Sequence, residues 1–375
     1  MLYIINAVHS VNGAAANRLL AYYRGFSEQG VNAEVFFLLP DSERHIVEEP
    51  YHNIHFHYCW KRAYINHRIF KYLSYLAYLI SLFFKVKKGD VVYTYDCYDV
   101  LYLFSLKKGV RLFFETTESP EVHRPESRLF NCSLDAYLRS CSRCAGVFVI
   151  SSPLKDWFVS RGIEAQRVHI INMIVDYHRF DGLSKHGFIR YIAYCGNGNN
   201  KKDRVDELIR CFHSIAPVFP DVMLYLIGPT KQTYFDEQDN AELVKQLGLD
   251  DRVLFLGEKP SSEIPQLLVD AEVLTLDRPD TVQNRCGFST KLGEYLMSGN
   301  PVVVTSTGDT ALFLDDKISA LLVNPGDSGR FKQQLTWALN NREEAQIIGK
   351  MGRKVAMQSF NYLHETQKMI ELFNI

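Results

Sequence analysis

Short apolar runs alternate with helix-like stretches from one end of the chain to the other, and this alternation limits the fold more than any other feature. In the first half the runs are Leu2–Val8, Ala33–Leu38, Ile54–Tyr58, Val91–Tyr95, Leu112–Glu115, Val147–Ile150 and His169–Ile171. Several are nearly unbroken in Val, Ile, Leu, Phe and Tyr, which is the pattern of parallel strands covered on both faces. Helix-like stretches such as Ala14–Gln29, Ile65–Lys85 and Asp135–Cys144 lie between them. A β-α-β-α succession of this kind predicts an open, doubly wound α/β sheet.

The rhythm stops at Asp176–Gly187, which is polar and turn-rich. It restarts with Tyr191–Cys195, Val222–Ile227, Val253–Leu256, Val273–Leu276, Val302–Thr305 and Ala320–Val323. A chain of 375 residues exceeds what one core usually holds, so two Rossmann-like doubly wound domains facing a central cleft are expected. The boundary falls near residue 182, giving domains 1–182 and 183–359. Ligands of such sheets bind at the carboxyl ends of the strands, beside helix N-termini.

The net charge of −1 gives no broad basic field, so nucleic acid is not an expected partner. The N-terminus lacks a signal-peptide pattern, and the longest uncharged apolar-rich stretch, Tyr72 to Phe84, is too short to span a bilayer. The expected location is cytoplasmic, including the inner face of the membrane. Cys141 and Cys144 form a lone C-x-x-C with no second pair to complete a zinc site, so free thiols are expected.

Two segments carry the chemistry. The first is Arg285-Cys286-Gly287-Phe288-Ser289-Thr290-Lys291-Leu292-Gly293-Glu294, followed by Gly299-Asn300-Pro301 and a buried strand. Ser289 and Thr290 are good helix caps, so free N–H groups of a first turn, aided by the helix dipole, can hold a diphosphate. Lys291 adds a point charge there, and Glu294 lies on the same helix face, where a carboxylate can accept bonds from ribose hydroxyls. The alternative is an ordinary capped helix with a solvated Lys and Glu. The second segment is Cys195-Gly196-Asn197-Gly198-Asn199-Asn200-Lys201-Lys202, a strand end running into a glycine-rich loop. Gly196 and Gly198 permit close backbone approach, and Lys201 and Lys202 can neutralise a departing diphosphate.

Together these residues resemble the retaining glycosyltransferases of family 4, of the GT-B architecture and polysaccharide-biosynthesis type. Glu294-Tyr295-Leu296-Met297-Ser298-Gly299-Asn300-Pro301-Val302-Val303 matches the second half of the family's Glu-x7-Glu element. The resemblance implies that Glu294 contacts the donor ribose and that Gly287, Phe288, Ser289 and Thr290 form part of the donor site. It implies that Lys202 binds the donor diphosphate. Three positions depart from the family: Cys286 replaces the first Glu, Asn197 stands where Arg is frequent, and Thr117 stands where His is usual. Further matches put Gly13 in a first glycine loop and Lys259 in a loop near the nucleotide base. Glu118, at the end of a strand, is either a catalytic carboxylate or a surface one. Asp176-Tyr177-His178-Arg179-Phe180 resembles the family's hinge.

The implied reaction is metal-free transfer of a sugar, with retention, from a nucleotide-sugar to a glycan or lipid-linked acceptor. Lys202 and Lys291 stabilise the departing diphosphate, and no cofactor is expected beyond the nucleotide-sugar itself. No Asp-x-Asp metal-binding pair occurs in the chain. The N-terminal domain takes the acceptor, with a C-terminal helix at about 360–375 packing back on it, and the second domain takes the donor. The alternatives are a catalytically impaired nucleotide-sugar-binding or scaffold protein and a nucleotide-sugar epimerase.

From Cys59 to Gly89 there is no acidic residue, whereas Lys61, Arg62, Arg68, Lys71, Lys85, Lys87 and Lys88 interleave with Trp60, Tyr64, Tyr72, Tyr75 and Tyr78. Ile65, Ile69, Leu73, Leu76, Ile80 and Phe83 recur at helical spacing. Such a helix either lies on an anionic membrane or packs its apolar face on its own domain.

Overall fold

The computed structural model describes residues 1–6, 14–40, 51–60, 68–125, 127–187, 189–228 and 239–375. The chain divides into two compact units, Met1–Ile174 with Tyr362–Ile375, and Val175–Asn361. Each contains one parallel sheet with helices, as the alternation of the sequence predicts.

The first unit has a seven-stranded sheet in the order β3-β2-β1-β4-β5-β6-β7. Its strands are β1 (Leu2–Asn6), β2 (Ala33–Pro40), β3 (Ile54–Trp60), β4 (Val91–Tyr95), β5 (Arg111–Thr116), β6 (Gly146–Val149) and β7 (Val168–Ile170). Every residue of β1 and β4 is buried, which explains why they lack polar alternation. Ile4 sits opposite both Val35 of β2 and Tyr93 of β4, in the middle of the sheet. The helices are α1 (Ala14–Glu28), α2 (Arg68–Lys85), α3 (Tyr98–Ser105), α4 (Leu134–Cys141) and α5 (Ser152–Ser160). Ser133 and Ser151 start α4 and α5 by accepting bonds from the backbone N–H groups of Ala136 and Leu154.

The second unit has a six-stranded sheet in the order β10-β9-β8-β11-β12-β13. Its strands are β8 (Arg190–Cys195), β9 (Val222–Ile227), β10 (Val253–Gly257), β11 (Val273–Leu276), β12 (Val302–Thr305) and β13 (Leu321–Val323). Its helices are α6 (Asn200–Asp203), α7 (Val205–Ile215), α8 (Asn240–Gln246), α9 (Ile264–Asp270), α10 (Val282–Cys286), α11 (Thr290–Ser298), α12 (Thr310–Phe313), α13 (Ser328–Asn340) and α14 (Arg342–Ser359). The polar stretch beginning at Asp176 opens this unit with a 3-10 turn, Tyr177–Phe180, whose buried Phe180 anchors it. Asp176 caps that turn through the His178 N–H.

The last helix, α15 (Tyr362–Phe373), belongs to the first unit and packs on α1. Phe373 is fully buried, with its ring 4.8 Å from that of Phe113 and 5.8 Å from that of Phe148. Burying one such side chain contributes roughly 1.5–3 kcal/mol. At the other end, Tyr362 donates to Glu28, while Glu365 accepts from the backbone and side chain of Asn172. All eight cysteines are free thiols.

Candidate active site

The strand order of the second sheet reverses between β8 and β11: β9 and β10 extend to one side of β8, and β12 and β13 to the other side of β11. The carboxyl ends of two strands at such a reversal leave a crevice, the usual ligand site of an open α/β sheet. Most of the residues singled out in the sequence meet here.

After β8 the chain turns through Gly196, Asn197 and Gly198 to Asn199, whose side chain caps α6 by accepting from the Lys202 N–H at 2.9 Å. The loop is pinned by neighbouring strands: Gly196 N–H donates to Ile227 and Gly228 N–H to Gly257. One of these glycines is required and a second is crowded by side chains. A Cβ at Gly228, whose φ is +140°, would lie 1.7 Å from the Gly196 carbonyl oxygen. A Cβ at Gly196 would lie 2.3 Å from Cε of Lys291. Gly196, Asn197, Gly198, Gly228, Tyr194 and Asn240 line a shallow depression that is open to solvent.

Lys291, in the first turn of α11, reaches beneath this loop to Asp203, with its ammonium 2.5 Å from Oδ2. Asp203 also accepts from the Tyr194 hydroxyl at 2.7 Å and from Nε of Arg278 at 3.2 Å. Burial pushes the Asp203 pKa upward, but Lys291 and Arg278 outweigh it and hold the carboxyl well below its usual range. For Lys291, burial lowers the ammonium pKa and Asp203 opposes that drop. Lys202 lies half-buried on the same turn as Asp203, and Lys201 faces outward.

The α10–α11 segment presents Gly287, Ser289 and Thr290 at the start of α11. Ser289 occupies the cap position without making a side-chain capping bond. Phe288 turns its ring into a cluster with Phe313 and Phe360, at 5.6 and 5.4 Å, and is 8% exposed. Cys286 is buried. Glu294 forms an ion pair with Arg179, which also donates to the Ser261 carbonyl at 2.7 Å. The Tyr295 hydroxyl bridges the backbone of Cys195, tying α11 to the end of β8.

Lys259 follows β10 on the outer strand and is half-buried. Glu118 belongs to the first unit, just beyond β5, where its backbone carbonyl accepts from Thr116. Gly13 lies outside the described residues. The sequence reading missed Asp203 and Arg278 and treated Arg179 only as part of a hinge. Their sequence signals were slight: Asp203 adjoins Lys202, and Arg278 follows the apolar run of β11. Among the described residues, no group of three His, Cys, Asp or Glu side chains is placed to hold a metal ion.

Beside the crevice, Asp277 is buried, with Oδ2 3.3 Å from Arg204 and Oδ1 without a hydrogen-bond partner. Burial pushes its pKa up to about 6; Arg204 opposes this, and Glu207, Asp206 and Asp203 add to it. The folded chain therefore keeps a proton between about pH 4 and 6 that the unfolded chain has released. Stability from this group is present below about pH 4 and is lost as pH rises to 6, by about 3 kcal/mol at ~1.36 kcal/mol per pKa unit. Asp277→Asn should abolish this loss. Denaturant unfolding at pH 4 and pH 7 should show the variant gaining on the parent chain at the higher pH, and an unchanged difference would refute the assignment.

Residues 189–341 match the family described as "Glycosyl transferases group 1". Comparison with curated protein sequences gives no significant match. Among solved structures, Anabaena HepE in complex with UDP and glucose is similar at a TM-score of 0.74 and 16% identity, covering 100% of this chain and 99% of that one. Sucrose-phosphate synthase from Thermosynechococcus elongatus gives 0.73 at 15% identity, covering 100% and 98%. A glycosyltransferase from Rickettsia africae gives 0.70 at 14% identity, covering 100% and 97%. The chain thus has the GT-B fold of these proteins, and the unit that holds the crevice matches the group 1 glycosyl transferases.

Proposed function

We propose that the protein transfers a sugar, with retention and without a metal ion, from a nucleoside diphosphate sugar to a glycan or lipid-linked acceptor. The observation that carries this reading is the meeting of Lys202, Lys291, the Gly196 loop and the start of α11 at the reversal of a sheet that matches group 1 glycosyl transferases. Solved complexes of the similar HepE with UDP and with UDP-glucose support a uridine donor as the first to test.

In this reading the depression beside Gly196 and Gly228 takes the nucleoside end, near Lys259, and Glu294 accepts from the ribose while Arg179 fixes its carboxylate. Lys202 and Lys291 face the diphosphate. The anomeric C–O bond breaks with its electron pair leaving on the phosphate oxygen, whose charge the cations stabilise. The acceptor oxygen bonds to the anomeric carbon on the same face and gives its proton to the departing phosphate. A binding screen of the purified protein against UDP-, GDP- and ADP-sugars tests the reading; binding of none would end it. The buried Cys286, where a family carboxylate is usual, favours a second reading as a nucleotide-sugar-binding protein without turnover. Binding without any donor hydrolysis would select it.

The acceptor side bears on a membrane. No helix among the described residues is long and apolar enough to cross one. On α2, Tyr75, Leu79 and Leu82 are buried and the helix packs on β2 and β3. Ile69, Phe70, Leu73, Ile80 and Phe84 are nevertheless exposed, Phe84 by 76%. Lys71, Lys85, Lys87 and Lys88 are exposed with them. One face satisfies the packing role and the other fits an anionic bilayer, to which each basic residue contributes ~1 kcal/mol. Co-sedimentation with phosphatidylserine vesicles should occur at low salt and fall at high salt. Changing Ile69, Leu73, Ile80 and Phe84 together to Ser should reduce it and leave donor hydrolysis unchanged. Absence of low-salt binding would return α2 to packing alone.

A further inference from the structure

The loop after β8 carries Asn197 where the resembling family frequently has an arginine, leaving that loop one cation short. A second arginine stands across the same reversal. Arg278 follows β11 directly beyond Asp277, so it lies at the carboxyl end of the strand that faces β8 across the crevice. Its backbone is fixed on both sides: the N–H donates to Oγ1 of Thr305 at 2.7 Å, and the carbonyl accepts from the same hydroxyl at 3.0 Å and from Thr307 at 3.3 Å. The side chain is almost wholly buried, yet it contacts its carboxylate through Nε alone, at 3.2 Å. Its two terminal nitrogens make no hydrogen bond among the described residues.

Asp203 holds this arginine and Lys291 together, with one carboxylate oxygen for each. It is itself buried and steadied by the Tyr194 hydroxyl. Two cations, Lys291 and Arg278, thus share a single carboxylate, and the charge of Lys202 also acts on Lys291. The next carboxylate, Asp277, is directed to Arg204, which Glu207 and Ser328 also approach. A buried cluster with excess positive charge and an unused pair of guanidinium N–H groups suits a doubly charged diphosphate, which such groups bind bidentately.

We propose that Arg278 is a further ligand of the donor diphosphate, replacing the cation that Asn197 does not supply, and that Asp203 is the positioning residue that presents Arg278 and Lys291 together. The inference rests on the transferase reading and deepens it. As the anomeric C–O bond breaks, the electron pair passes to the β-phosphate oxygen, and the Arg278 terminal N–H groups stabilise the charge that develops there.

The test compares UDP with uridine, which lacks phosphates, by calorimetry, alongside acceptor-free hydrolysis of UDP-glucose. Arg278→Gln should weaken UDP binding by about tenfold or more and leave uridine binding unchanged, with kcat falling by roughly 100-fold or more. Arg278→Lys keeps a cation beside Asp203 but loses the paired N–H groups, so it should fall between the parent and Arg278→Gln. It decides the matter if the Gln variant does not fold. Asp203→Asn should lower kcat while leaving uridine binding in place, and adding Arg278→Gln to it should cost less than Arg278→Gln costs alone. Equal losses of UDP and uridine binding would mean a structural role and overturn the proposal. So would UDP binding and kcat that ignore both substitutions at Arg278. If the parent protein binds none of UDP, GDP and ADP, the transferase reading fails and this inference with it.

Discussion

Replacing Arg18 with Met is expected to destabilise the first unit by about 3–5 kcal/mol, the cost of breaking a buried ion pair from one side. Arg18 lies on α1 and is only 3% exposed, and its partner Glu115 on β5 is fully buried. Nε of Arg18 is 2.6 Å from Glu115, while its terminal nitrogens donate to the carbonyls of Ile171 and Asn172 at 2.9 and 2.8 Å. The Tyr22 and Tyr93 hydroxyls also donate to the Glu115 carboxylate. Removing the guanidinium leaves a carboxylate with no counter-charge and two carbonyls without donors, which packing by Met does not repair. Paired replacement of Arg18 by Met and Glu115 by Gln should recover much of the loss, because the uncompensated charge is then gone. Urea unfolding of both variants checks this. An Arg18→Met chain within 1 kcal/mol of the parent would show that the pair contributes little.

Lys202→Ala is expected to lower turnover by roughly 100- to 1000-fold, the usual effect of removing one group that stabilises charge developing in a transition state. Its effect on donor binding should be smaller, because the diphosphate carries less charge on the bridging oxygen before the bond breaks than after. The reasoning rests on position: Lys202 shares the turn of α6 with Asp203, and its backbone is fixed by Asn199 on one side and by the Asn284 side chain, which donates to the Lys202 carbonyl, on the other. Steady-state kinetics with UDP-glucose separates the two effects. A variant with lower affinity and full kcat would place Lys202 in ground-state binding only.

Much of this architecture was legible in the chain. Runs such as Val91–Tyr95 and Val302–Thr305 read as strands because both their faces are buried, and both form parallel strands. The glycine loop was legible because close backbone approach demands glycine at fixed short spacings, and the helix after Ser289 because its start and its Gly299 end are marked in sequence, although Ser289 makes no side-chain capping bond. What escaped depends on partners far apart in the chain. Asp203 meets Arg278 75 positions away and Lys291 88 positions away, and Arg179 meets Glu294 across 115. No local spacing rule reports such pairs. The surroundings of Phe288 were hidden for a related reason: its neighbours Phe313 and Phe360 come from distant elements that pack on its ring. The amphipathic reading of α2 offered packing or membrane contact as rivals, whereas buried Leu79 and exposed Ile80 lie side by side on a helix that is apolar on two faces.

Nucleotide release from UDP-glucose, followed in EDTA with no acceptor present and with the anomer of the freed sugar read by NMR, tests the central claim most directly. Metal-free retaining transfer predicts slow release of UDP that EDTA does not slow, with glucose appearing first as the α-anomer. Release that requires a divalent ion, glucose appearing first as the β-anomer, or no turnover of any UDP-, GDP- or ADP-sugar would contradict it.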